Sequence, residues 1–152
     1  MPHIHEAYDF TVGVVIVHNE QVLLVHHPRY DSWLPPGGHI ELDEDPEEAL
    51  RREIEEETGL EVTILSERLP FQSPGTKNIL QPAYVDVHEA NPPHKHINFM
   101  YFAKAVSGQV RLSDEHLEAK WFRADELGDS RYKLSPAIIF YAEAALQKAR
   151  YV

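Results

Sequence analysis

Between Asp45 and Gly59 the chain specifies both ends of one helix and lays three carboxylates along a single stripe of it. Asp45 is a good N-cap, Pro46 suits the first helical position, and Glu48 stands where a capping box places its carboxylate. Gly59 is a natural residue just past the last turn. Inside those limits Glu53, Glu56 and Glu57 fall at i, i+3 and i+4 behind Arg52. At about 100° per residue they share an arc with Ala49. Leu50 and Ile54 lie beside that arc, while Glu48, Arg51 and Glu55 face away. Like charges at this spacing destabilise a helix by roughly 0.2–0.5 kcal/mol per pair. The stripe therefore reads as a set of oxygen ligands for a hard divalent cation, turned toward whatever packs alongside.

The rest of the chain predicts a sheet for that helix to pack on. Thr11–Val17 and Gln21–His26 are dense β-branched and apolar runs, and residues 18–20 between them suit a tight turn, so the chain opens with a hairpin. Residues 27–38, punctuated by Pro28, Pro35, Pro36, Gly37 and Gly38, read as a loop that delivers the chain to the helix. Glu61–Leu69 reads as a strand, and 70–96 as loop-rich with a short strand near Ala83–Val87. His96–Ala105 is the strongest later strand, Glu118–Phe122 another, and Ser135-Pro136 caps a last helix running to about Arg150. Strands, helix, strands and helix in this order imply a mixed α+β fold with helices on the faces of one sheet. Phe99, Tyr101, Ile138 and Tyr141 read as core.

Bulk properties narrow the function. At 152 residues the chain is read as one domain, 1–152, with a real core. Its formal net charge of −11 comes from 25 acids against 14 Lys and Arg. Such a surface repels extended nucleic acid but admits a small anion where a bound cation reverses the local field. There is no cysteine, which excludes disulfides and thiolate chemistry. No signal-like start and no run long enough to cross a bilayer are present, so no membrane partner and a cytoplasmic location are expected.

Gly38, Glu44, Arg52, Glu53, Ile54, Glu56, Glu57, Gly59 and Leu60 stand at the spacing of the Nudix box, and the segment Gly38–Leu60 resembles that family without a mismatch. The resemblance implies an α/β/α sandwich that hydrolyses a nucleoside diphosphate linked to another group, or a nucleoside triphosphate, with Mg²⁺ or Mn²⁺. By the same resemblance Glu53, Glu56 and Glu57 are metal ligands and the carbonyl of Gly37 or Gly38 adds another. Arg52 orients and neutralises the carboxylates, and Glu44 is an outer partner. Glu115, six residues before Trp121, is the first choice for a further loop carboxylate acting as ligand or general base; Glu118 is the second, and Glu56 or Glu57 can equally serve as base. Homodimers are common in the family.

Two other functions compete. A Nudix-like domain that senses nucleotides without hydrolysing them is typically marked by an eroded box or a fused DNA-binding segment, and this box is intact. An isoprenoid-diphosphate isomerase of the same fold requires a cysteine, and none is present. Tyr30 and Trp33 are candidates to stack on a base or sugar, with packing the competing role for Trp33. Gly37 and His39 are candidates for phosphate contact. The chain has 10 histidines, but without cysteines or a helix-spaced pair a separate zinc site is not expected, and His94, Lys95 and His96 read as solvated loop, with contact to an anionic substrate the competing role. Pro74 stands one residue short of the proline common in ADP-ribose-cleaving members. ADP-ribose, nucleotide sugars, dinucleotides and modified triphosphates all stay open as substrates.

Overall fold

The β-branched run forms β1 (Tyr8–His18), and the two-residue turn Asn19–Glu20 returns it as β2 (Gln21–His27). Both turn residues have positive φ, 49° and 59°, as a turn matching the twist of a hairpin requires. The computed structural model describes residues 7–112, 114 and 118–152. Along it follow β3 (Ser32–Leu34), β4 (Gly37–His39), α1 (Pro46–Thr58), β5 (Val62–Ile64), β6 (Tyr84–Asn91), β7 (His94–Ala105), β8 (Glu118–Arg123), a 3₁₀ turn at Ala124–Glu126, and α2 (Pro136–Ala149). No helix among the described residues is long and apolar enough to cross a membrane.

Helix α1 ends where its sequence says it must. The Glu48 amide donates to Asp45 Oδ1 at 2.9 Å and the Asp45 amide donates to Glu48 Oε1 at 3.0 Å, a reciprocal cap. Gly59 closes the helix at φ 64°, a left-handed conformation that favours glycine. Helix α2 starts on the Ser135 hydroxyl, which accepts from the Ile138 amide.

Eight described strands form one mixed sheet. β1 runs parallel to β7 from Tyr8↔Lys95 to Val17↔Lys104, and the remaining pairs are antiparallel. On its other side β1 is shared: β4 pairs with Thr11–Gly13 and β2 with Val17–His18. Alternation along the two central strands makes two cores. Val15, Val17, Met100 and Phe102 pack under α2 with Tyr141, Ala142 and Leu146. Val14, Ile16, Tyr101 and Ala103 pack under α1 with Leu50 and Ile54. The α+β class and the helix–sheet–helix layering expected from sequence are therefore present.

Three strand expectations need correction. Residues 27–38 are not all loop, because β3 and β4 lie within them. The strand expected over 61–69 stops at Ile64. The far edge of β7 is divided, with β5 on Ala103–Ala105 and β6 on His94–Met100, and the Leu65 amide makes the last contact with the Phe102 carbonyl at 2.8 Å. The segment 94–96, read as solvated loop, opens β7 and is half-buried.

Beyond Leu65 the chain crosses to α1, where one buried carboxylate holds it. Glu47 accepts from the Arg68 guanidinium at 2.7 and 2.9 Å, from Arg51 at 3.0 Å, and from the Leu80 amide at 3.0 Å. Arg68 chiefly holds the Glu47 carboxyl down at about 2, with help from Leu80 and Arg51 against the opposing effect of burial. A carboxylate with a depressed folded-state pKa adds stability above its ordinary value of 4.5, and that contribution is lost as pH falls toward 2. Glu47→Ala is expected to lower unfolding stability by about 1.5–3 kcal/mol at neutral pH. Urea titrations from pH 7 to 3 should show the difference between wild type and variant shrinking as the acid limb is descended; a constant difference would contradict the linkage.

Candidate active site

One cavity of about 610 Å³ opens at the junction of β1, β4 and β7. It is lined from both helical layers: Glu53 and Glu57 come from α1, Ile138 and Tyr141 from α2. Strand register supplies a polar floor between them. His39 of β4 lies opposite Thr11 of β1, Thr11 opposite Asn98 of β7, and Asn98 opposite Asp86 of β6. The Thr11 hydroxyl donates to Asn98 Oδ1 at 3.0 Å, and the Asn98 amide donates to Asp86 Oδ2 at 3.3 Å. The Tyr141 hydroxyl donates to the same Asp86 oxygen at 2.5 Å. Burial pushes Asp86 up, but the hydrogen bonds from Tyr141, His88 and Asn98 outweigh it and leave the carboxyl below the usual range.

The acidic stripe forms the wall beside this floor. Glu57 is 4% exposed and its Oε1 accepts from the Gly37 amide at 3.3 Å. Glu53 is also buried, and it faces Gly38 so closely that a Cβ built there would run into the Glu53 carboxylate. Glu56 is more open, and it is not among the cavity-lining residues.

Arg52 connects the stripe to the loop before α1. Its Nε and Nη2 grip Glu44 at 2.6 and 2.9 Å, Nη2 also donates to the His39 carbonyl at 3.0 Å, and Nη1 donates to Glu53 at 2.9 Å and Glu56 at 3.2 Å. The Arg52 fork holds the Glu44 carboxyl below its ordinary range, and Glu44 in turn raises the guanidinium pKa further. Glu41 and Glu44 close the turn locally, the Glu41 amide donating to Glu44 Oε1 at 3.0 Å. Two buried carboxylates and nearby backbone carbonyls are an all-oxygen donor set, the kind that suits Mg²⁺ or Mn²⁺.

The other sequence-derived candidates divide. Gly37, Gly38, His39 and the half-exposed Tyr30 line the cavity. Trp33 does not: its ring packs against Phe122 at 5.4 Å and Tyr132 at 6.1 Å, at the margin of the α2 core. Glu115 lies outside the described residues. Glu118 opens β8 opposite His26, exposed and away from the cavity lining. Asp86 and Asn98 were not singled out from sequence, and the signal for Asn98 is the strand alternation that puts it on one face with His94 and His96. Burial and the neighbouring His39 and His88 push His96 down to about 4, so it is neutral at physiological pH.

Comparison with known proteins agrees with this geometry. A solved hydrolase of the NUDIX family from Clostridium perfringens is 33% identical and superposes with a TM-score of 0.80, covering 91% of this chain and 96% of that one. An ADP-ribose pyrophosphatase of Methanocaldococcus jannaschii is 27% identical over 128 residues, 82% of this chain and 66% of that protein. An RNA pyrophosphohydrolase of Ruthia magnifica is 45% identical over 56 residues, 36% of this chain and 31% of that protein. The chain thus spans under two thirds of the length of these curated relatives. Residues 7–142 match the NUDIX domain, and the chain belongs to the Nudix family.

Proposed function

We propose that the chain hydrolyses a phosphoanhydride bond in a small nucleotide, either a nucleoside diphosphate joined to a second group or a nucleoside triphosphate. The observation that carries this reading is the placement of two buried carboxylates, Glu53 and Glu57, on the wall of a substrate-sized cavity. With Glu56 and the Gly38 carbonyl they would hold Mg²⁺ or Mn²⁺. When bound, the ion supplies charge neutralisation at the phosphate and a more acidic water.

The chain's own residues do the positioning. Arg52, fixed by Glu44, sets the carboxylates of Glu53 and Glu56 and keeps the stripe from repelling itself apart. A stripe carboxylate accepts the proton of the attacking water as its oxygen bonds to phosphorus and the bridging P–O bond breaks. Tyr30, Leu34 and Ile138 give the cavity an apolar side for a base or sugar, and His39 stands beside the glycine pair where phosphate would lie. The likeness to an ADP-ribose pyrophosphatase over most of the chain supports a diphosphate-linked substrate. The likeness to RNA pyrophosphohydrolases covers a much shorter segment, and a net charge of −11 opposes long polyanions.

Product-resolved turnover over ADP-ribose, nucleotide sugars, dinucleotides and triphosphates, with and without Mg²⁺ or Mn²⁺, tests the proposal. Metal-dependent release of a mononucleotide is expected; tight nucleotide binding with no turnover at any metal concentration would favour a sensor instead. Glu57→Gln keeps the acceptor for the Gly37 amide but removes the charge, and is expected to cut kcat at least about a hundredfold with the melting curve retained. Gly38→Ala drives a methyl into the Glu53 carboxylate and is expected to weaken Mn²⁺ binding about 10–100-fold, measurable by calorimetry without substrate. Unchanged Mn²⁺ affinity would remove Glu53 and Gly38 from the ligand set.

A further inference from the structure

From the polar floor of the cavity we infer that the protein has a second divalent-cation site, of the zinc class, built from Asp9, His94 and His96, with His39 standing beside Asp9. The ligand atoms of the first three lie within 4.8 Å of one another. His94 Nε2 meets Asp9 Oδ2 at 2.6 Å, and His39 Nε2 meets the same oxygen at 3.4 Å. His39 and His96 stand ring edge to ring face, their centroids 5.1 Å apart.

Register builds this group. Asp9 of β1 and His96 of β7 are direct partners in the parallel pair, so both project on one face. His94 lies two residues before His96 and shares that face by strand alternation. His39 arrives from β4, whose partner Thr11 is two residues along β1 from Asp9. Two strands thus bring one carboxylate and two imidazoles together, and a third strand sets the His39 imidazole beside that carboxylate.

The donor chemistry selects the ion. Imidazole nitrogens suit zinc and its neighbours, whereas Mg²⁺ prefers oxygen. Tetrahedral zinc with bonds of about 2.0 Å places adjacent donors about 3.3 Å apart, so Asp9 and His94 need to open by well under an ångström, and Asp9 and His39 are already at that spacing. Asp9 is 3% exposed, with the His94 and His39 imidazoles at its carboxylate. A divalent ion at this point would join β1 to β7 through Asp9, His94 and His96. The site shares the cavity with the acidic stripe but takes different ligands from different elements, and it stands whether or not the stripe supports hydrolysis.

The test is zinc binding to the full chain, read by calorimetry and by anomalous scattering from crystals soaked in Zn²⁺. One equivalent is expected that persists under excess Mg²⁺ and in Glu53→Gln and Glu57→Gln. In His96→Ala and in His94→Ala its affinity should fall at least tenfold, and His39→Ala should weaken it less. The anomalous peak should lie between Asp9, His94 and His96 and vanish in His96→Ala. Thermal melting should rise with Zn²⁺ in wild type and not in His96→Ala, which also reports whether that variant folds. A saturated crystal with no peak there, or a zinc equivalent unaltered in both histidine variants, overturns the proposal. A zinc equivalent lost only in the glutamate variants would place the ion on the stripe and overturn it equally.

Discussion

The guanidinium of Arg52 is the contact on which the acidic face of α1 depends. Glu53 and Glu57 are buried one turn apart, with Glu56 beside them, and that much like charge in a low-dielectric setting would push the helix away from the sheet. Arg52 prevents this by gripping Glu44 with two nitrogens and reaching Glu53 and Glu56 with a third. Its bond to the His39 carbonyl fixes β4 to the same point. A lysine could neutralise charge here but could not form the fork that sets four groups in one geometry. The site is held in shape by an arginine whose own position is set by the loop preceding its helix.

Around that point the protein divides labour by layer. The α1 side provides carboxylate oxygen, while the α2 side provides hydroxyl, amide and imidazole groups on the strand floor, together with Tyr141. The Glu47–Arg68 pair holds the segment after β5 against the first turn of α1. The helix is thereby fixed along two edges, one facing the cavity and one facing the crossing chain, with an apolar seam of Leu50 and Ile54 between them.

Much of this was legible in sequence where the signal is local. The caps of α1 and α2, the first hairpin and the carboxylate spacing depend on residues within a turn or two of each other, and all appear where the sequence places them. Signals that depend on distant partners were not legible. β3 and β4 have three residues each, too few for a period, and exist because β2 and β1 offer them edges. β5 ends early because another strand occupies the rest of its partner's edge, which no property of residues 65–69 announces. That His94 and His96 share a face follows from their i, i+2 spacing only once β7 begins at His94. Trp33 admitted both stacking and packing from sequence, and the aromatic neighbours it packs on come from positions about ninety and a hundred residues away.

The sharing of β1 between two successive neighbours has an effect on access. A continuous sheet is a barrier: groups on its opposite faces cannot touch the same small molecule. Here β4 leaves β1 after Gly13 and β2 joins it only at Val17, with the Pro36 carbonyl taking the Val14 amide at 2.9 Å in between. The sheet therefore has a fork in it, and the fork is a doorway. Through it the acids of one face and the hydroxyls and imidazoles of the other reach a common space.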